Sequence, residues 1–131
     1  MVSEKKRLLL VDDSPVVLAQ LSDEFSTEFD VVTAESGEDA IAVLEESVVD
    51  DICFANCFDL IMTDLLMPGI DGFELAQYVR SRAKANKYTP VILLTTEKIS
   101  KQQARESGCV AYFSKSDKQR LFGMVRILLT S

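Results

Sequence analysis

Asp12 and Asp13, Asp64, Thr95 and Lys115 each stand at or just after the end of a short apolar run. The runs are Leu8–Val11, Leu60–Thr63, Val91–Leu94 and Val110–Phe113. Three carboxylates brought close together repel one another, and burial disfavours their charged forms. A hard divalent cation removes that conflict. Mg²⁺ takes oxygen ligands, keeps several waters and needs only one or two carboxylates plus a substrate phosphate. A carboxylate beside such a cation, an ammonium and a hydroxyl is set to attack phosphorus, the positive charges stabilising the equatorial oxygens of the transferred group. Histidine cannot contribute, because the chain has none. That excludes His general bases, Ser-His and Cys-His pairs, His-ligated metals and a phosphohistidine made on this chain.

Positioning these groups requires elements that end together. Five apolar runs recur, Val31–Ala34 being the fifth, and stretches with helical spacing separate them. Short apolar runs without alternation suit strands buried on both faces, and strands alternating with helices suggest βαβ units with a parallel sheet. All strand carboxyl ends of such a sheet lie on one edge, where sites form. The first helix starts at Ser14, an N-cap, with Pro15 in its first turn, and buries Val17, Leu18, Leu21 and Phe25. The second follows Ser36-Gly37 with Ala40, Ile41 and Leu44 inward, and the third follows Asp71-Gly72 with Leu75, Ala76 and Val79. A polar fourth runs near Ser100 to Ser107 and ends at Gly108. The fifth starts after Ser116-Asp117 and buries Leu121, Met124, Val125 and Leu128. Val48, Ile52 and Ala55 continue the spacing of Ile41 and Leu44, which predicts a second helix extended to about Ala55. The rival is a helix ending near Ser47 followed by an ordered insertion. In both, Cys53, Phe54, Cys57 and Phe58 pack locally.

The 131 residues suit one domain, 1–131, with a core over about 7–130. A 47% apolar and 27% charged composition is that of a globular chain, and the net charge, 14 − 21 = −7, argues against binding a phosphate backbone. Cys53 and Cys57 are spaced C-x3-C with no second pair to complete a zinc site, so with Cys109 they read as buried reduced thiols, a redox role for the Cys53–Cys57 pair being the alternative. The apolar stretch Leu8–Val11 is too short for a signal peptide, and no run is long enough to span a membrane, which predicts a soluble, cytoplasmic protein.

The run Met62-Thr63-Asp64-Leu65-Leu66-Met67-Pro68-Gly69-Ile70-Asp71-Gly72, with Asp12-Asp13, Pro90–Thr95 and Tyr112-Phe113-Ser114-Lys115, resembles the receiver domain of two-component response regulators. The similarity extends from Leu8 to about Leu129. It implies a doubly wound α/β fold, flavodoxin-like, with five parallel strands in the order 2-1-3-4-5 and five helices. It implies Asp64 as phosphoacceptor, Asp13 as a direct Mg²⁺ ligand, Asp12 as the acid holding a metal-bound water, and the Leu66 backbone carbonyl as a further ligand. Thr95 would bond a phosphoryl oxygen, Lys115 would pair with Asp64 and then with the phosphoryl group, and Tyr112 would be the aromatic coupled to Thr95. The implied donor is a phosphohistidine on a sensor histidine kinase or a histidine phosphotransfer protein. The implied output is a protein partner or a second copy of the chain, bound around the fourth helix, fifth strand and fifth helix.

Three features depart from the family pattern. Ser116 stands where proline usually follows the lysine, so a trans Lys115–Ser116 bond is expected, a cis bond to a non-proline residue costing about 2.5–4 kcal/mol. Thr96 and Leu66 give the mouth of the site a bulkier, more apolar character, which predicts slow self-dephosphorylation. The segment Ser47–Cys57 is longer than usual and offers a private contact surface. A phosphorylation-independent interaction module with this fold is disfavoured by the intact Asp12, Asp13, Asp64, Thr95 and Lys115. A Mg²⁺-dependent phosphatase with an aspartyl nucleophile is disfavoured by Leu66, which occupies the place of the general acid two residues after the nucleophile. No output segment follows the fifth helix in the chain as given, so the expectation is a stand-alone regulator or a receiver cut from a longer protein.

Overall fold

The structure is a computed structural model that describes residues 5–46, 48–49, 52–53, 57–81, 88–96 and 99–130, with side chains at 48–49, 52–53, 118 and 130 left aside. In chain order the elements are β1 (Arg7–Val11), α1 (Pro15–Phe25), β2 (Asp30–Ala34), α2 (Gly37–Glu46), β3 (Val48–Val49), β4 (Ile52–Cys53), β5 (Leu60–Asp64), α3 (Gly72–Ser81), β6 (Val91–Thr95), α4 (Lys101–Glu106), β7 (Ala111–Ser114) and α5 (Lys118–Thr130). Five strands form one parallel sheet in the order β2-β1-β5-β6-β7. Counting only these five, that is the expected 2-1-3-4-5.

Alternation along each strand divides the core into two layers. Leu8, Leu10, Leu60, Met62, Ile92 and Leu94 face α1 and α5, where they meet Leu18, Leu21, Phe25, Leu121 and Val125. Leu9, Val11, Ile61 and Leu93 face α2, α3 and α4, where they meet Ala40, Leu44, Leu75, Val79 and Ala104. The central strands β5 and β6 are buried along their whole length, and the edge strands β2 and β7 are only partly so. Local signals start two helices as expected. The Ser14 hydroxyl accepts the Val17 amide at 3.3 Å with Pro15 at the first helical position, and Ser100 and Gln103 form a reciprocal capping box. Gly108, at φ +90°, follows α4 in the left-handed region that a side chain disfavours. In α5, Leu129 is buried and Met124 and Leu128 are half-buried, a small shift of the expected stripe.

The extended second helix is not formed. α2 ends at Glu46, and Val48–Val49 and Ile52–Cys53 pair antiparallel as a small separate sheet. The expected end near Ala55 lies outside the described residues, as do Phe54 and the Cys53 side chain. The reason is legible afterwards. Val48, Val49 and Ile52 are β-branched and lose χ1 freedom in a helix, while Asp50-Asp51 between them is turn-forming. Phe58 is buried against the α2–α4 face. Cys109 is buried and free as expected, but Cys57 is disulfide-bonded, which corrects the reduced-thiol reading for that residue.

Gly123 lies inside α5, and a Cβ built there meets nothing within 4 Å. Glycine inside a helix costs about 0.5–1 kcal/mol relative to alanine. Gly123→Ala is therefore expected to raise the melting temperature by roughly 2–4 °C. A thermal melt that falls instead would mean that α5 needs the bare backbone at that point.

Candidate functional site

The carboxyl edge of the sheet gathers the expected residues. β1 runs directly into Asp12, which is 1% exposed, and into the exposed Asp13. Asp64 is the last residue of β5 and Thr95 the last of β6, and both are buried. Lys115 follows β7 directly. The order of strands places β1 beside β5 and β5 beside β6, so four chain segments far apart in sequence meet on one rim.

Lys115 joins the acids. Its Nζ lies 2.9 Å from Asp12 Oδ2 and 3.1 Å from Asp64 Oδ2. One carboxylate oxygen each of Asp12, Asp13 and Asp64 lies within 4.8 Å of the other two. Burial pushes the Asp64 carboxyl above its ordinary value; the Lys115 hydrogen bond opposes the shift, and the charges of Asp12 and Asp13 reinforce it. Burial alone would lower the Lys115 ammonium, but its contacts with Asp12 and Asp64 prevail and raise it. The ammonium therefore stays charged at neutral pH and compensates one of the three acids.

The donor set fits a hard divalent cation. Three carboxylates less one ammonium leave two negative charges, and the ligands are oxygens only. Asp12 Oδ2 is buried and has no well-aligned hydrogen bond beyond the ionic contact with Lys115, so it retains capacity for a ligand or its water. Asp12 Oδ1 is committed elsewhere, accepting the Ser14 amide at 2.9 Å and tying the site to the start of α1.

Around the acids the backbone is held closely. The Leu65 amide donates to Leu94 O at 3.0 Å, and the Gly72 amide donates back to Leu65 O at 2.9 Å. Gly72 carries a role that sequence reading missed, since Asp71-Gly72 signalled only the start of a helix. A Cβ at Gly72 would stand 2.6 Å from Asp64 O, 2.9 Å from Leu93 Cδ2 and 3.0 Å from Leu65 Cα. The buried Thr63 hydroxyl, also unforeseen, donates to Asp64 O at 2.9 Å. Leu66 is exposed at the rim, as is Thr96. The peptide bonds of the described residues are trans, Lys115–Ser116 included. The Ser114 hydroxyl lies 2.8 Å from that of Ser116 and accepts the Ser116 amide at 3.3 Å, closing the turn that carries Lys115. Tyr112 is half-buried and lines a cleft of about 530 Å³ between α4, β7 and α5, rimmed by Lys101, Arg105 and Arg120.

Comparison with known proteins agrees with the fold that carries these residues. The family described as "Response regulator receiver domain" matches residues 8–126. The transcriptional regulatory protein ResD of Bacillus subtilis is 34% identical over 116 residues, 86% of this chain and 43% of ResD. A crystal structure of a putative response regulator from Chloroflexus aurantiacus is 30% identical, with a TM-score of 0.81 over 98% of this chain and 100% of that one. The chemotaxis protein CheY4 of Vibrio cholerae is 27% identical, with a TM-score of 0.80 over 95% and 98%. The chain spans about half or less of the length of the first curated relatives it matches.

Proposed function

This chain belongs to the response regulator receiver domain family, and from that premise we propose that it accepts a phosphoryl group on Asp64 and uses it to switch a protein-binding surface. The observation that carries the reading is the bridge of Lys115 between Asp12 and Asp64, with Asp13 beside them, at the sheet's carboxyl edge. An Asp64 oxygen forms the new P–O bond as the P–N bond of a partner's phosphohistidine breaks, its electron pair leaving on the imidazole nitrogen. The partner is a sensor histidine kinase or a histidine phosphotransfer protein, in keeping with a chain that contains no histidine. Asp13, Asp64, the Leu66 carbonyl and, through a water, Asp12 would hold Mg²⁺, which supplies charge neutralisation for the acids and for the phosphoryl oxygens.

Lys115 transfers its contact from the Asp64 carboxylate to the incoming phosphoryl group. Thr95, at the adjacent strand end, donates its hydroxyl to a phosphoryl oxygen, and Tyr112 is the aromatic that reports the change at the α4–β7–α5 surface. A protein partner or a second copy then binds there. The chain acts only in its own phosphorylation and dephosphorylation and is a signalling phosphoacceptor, working in the cytoplasm. Among the described residues no helix is long and apolar enough to cross a membrane.

Labelling by acetyl phosphate or phosphoramidate with Mg²⁺ tests the reading. Label on the wild type that an Asp64→Asn substitution removes supports it. Wild-type protein that takes no label favours an inert interaction module. Once labelled, the protein is expected to keep its phosphoryl group for minutes or longer. Leu66 beside the site is apolar and can neither orient nor activate a water. Decay of the label after removal of the donor measures this, and a lifetime of seconds would overturn it.

A further inference from the structure

We infer that Glu38, on the first turn of α2, is a positioning residue for the phosphoacceptor site: it clasps the loop that leaves Asp64. The inference rests on the function proposed above. The loop comprises residues 65–71 and contains Leu66, the proposed carbonyl ligand. Its ends are tied by the Leu65 and Gly72 amides and by the reciprocal bonds of Asp71 and Glu74, at 3.2 and 2.8 Å. In its middle, Pro68 has no amide to donate and Gly69 sits at φ +76°. There the Ile70 amide donates to Glu38 Oε1 at 2.9 Å, across 32 residues of sequence.

The two segments are shaped for this approach. A Cβ at Gly69 would stand 2.9 Å from both Glu38 carboxylate oxygens, and a Cβ at Gly37 would stand 2.7 Å from Ile70 Cβ and 2.8 Å from Ile70 O. Both glycines clear the way for α2 and the loop to touch, and Ile70 packs onto the α2–α4 core face. A hydrogen bond of this kind is worth about 0.5–1.5 kcal/mol. A bond of that size favours the loop position in which Ile70 reaches Glu38, and with it the position of the Leu66 carbonyl, two residues after the end of β5.

A second role for Glu38 is available, since a carboxylate in the first turn also favours the α2 dipole. The two roles need different properties, charge for the dipole and reach for the clasp. Glu38→Gln keeps reach and loses charge, Glu38→Asp keeps charge and loses reach, and Glu38→Ala loses both. Three readouts are compared across the four proteins: Mg²⁺ affinity from amide shifts on titration with the metal alone, the rate of labelling by acetyl phosphate, and hydrogen exchange at the Ile70 amide. The Ala and Asp variants are expected to bind Mg²⁺ and to label about 3–10-fold less well and to exchange Ile70 correspondingly faster. The Gln variant should stay within about twofold of wild type, with all four proteins melting cooperatively. An Asp variant that matches wild type beside a defective Gln variant overturns the inference in favour of the dipole. Wild-type protein that binds Mg²⁺ and labels, beside Ala and Asp variants that match it, overturns this inference alone. Wild-type protein that does neither overturns the proposed function together with it.

Discussion

Asp64→Asn is expected to take no label from acetyl phosphate and, without Mg²⁺ at neutral pH, to melt at a higher temperature than wild type. The first part follows from removing the proposed nucleophile at nearly unchanged volume. The second follows from the crowding of the acids. Burial, with Asp12 and Asp13 at its side, raises the Asp64 carboxyl, so its ionised form is disfavoured in the folded state. A group raised in this way contributes stability fully present below its unfolded value and lost as pH rises through its folded value. At pH 7 the ionised Asp64 is thus a net cost, which Asn removes, while Lys115 keeps its 2.9 Å contact with Asp12. The gain reads as a melting temperature above that of wild type at pH 7. It should vanish near pH 3, where wild-type Asp64 is protonated. Melting curves at both pH values check the sign, and a variant less stable than wild type at pH 7 would show that Lys115 more than offsets the repulsion.

Gly72→Ala is expected to cost about 2–3 kcal/mol and to slow labelling more than tenfold. The position demands space, since its backbone is not in the left-handed region. Of the three atoms a Cβ would meet, Leu93 Cδ2 can rotate away, but Asp64 O and Leu65 Cα are backbone. Relief requires moving either α3 or the end of β5, and the end of β5 is Asp64, the proposed phosphoacceptor. Displacing a reacting group by about an ångström can cost a hundredfold in rate. Thermal melting and the initial labelling rate measure the two effects. Normal labelling in a destabilised variant would show that α3, not Asp64, gives way.

Much of the site was legible because each of its residues marks the end of an apolar run. A strand buried on both faces announces itself as an uninterrupted run, and the parallel topology sends every such end to one edge. Asp12, Asp13, Asp64, Thr95 and Lys115 could be placed on that edge without coordinates, as could the helix starts at Ser14 and Ser100, whose caps involve residues only three apart. The stretch after Leu44 misled for a physical reason. The apolar spacing of Val48, Ile52 and Ala55 satisfies a helix, while β-branching and Asp50-Asp51 favour a hairpin, and periodicity alone cannot weigh those preferences.

The amino-acid sequence by itself determined the five strands of the main sheet and the five helices that alternate with them, though not where α2 ends, the sheet order through its family resemblance, and the set of groups that meet at one rim. These rest on local preferences and on burial pattern, which are written residue by residue. Only the tertiary structure decided that Lys115 bridges Asp12 and Asp64, that Gly72 leaves room for the Asp64 backbone, and that Glu38 reaches Ile70. Each of these is a contact between elements brought together by packing, with a distance set by how closely two backbones approach, and no pattern along one segment encodes that approach.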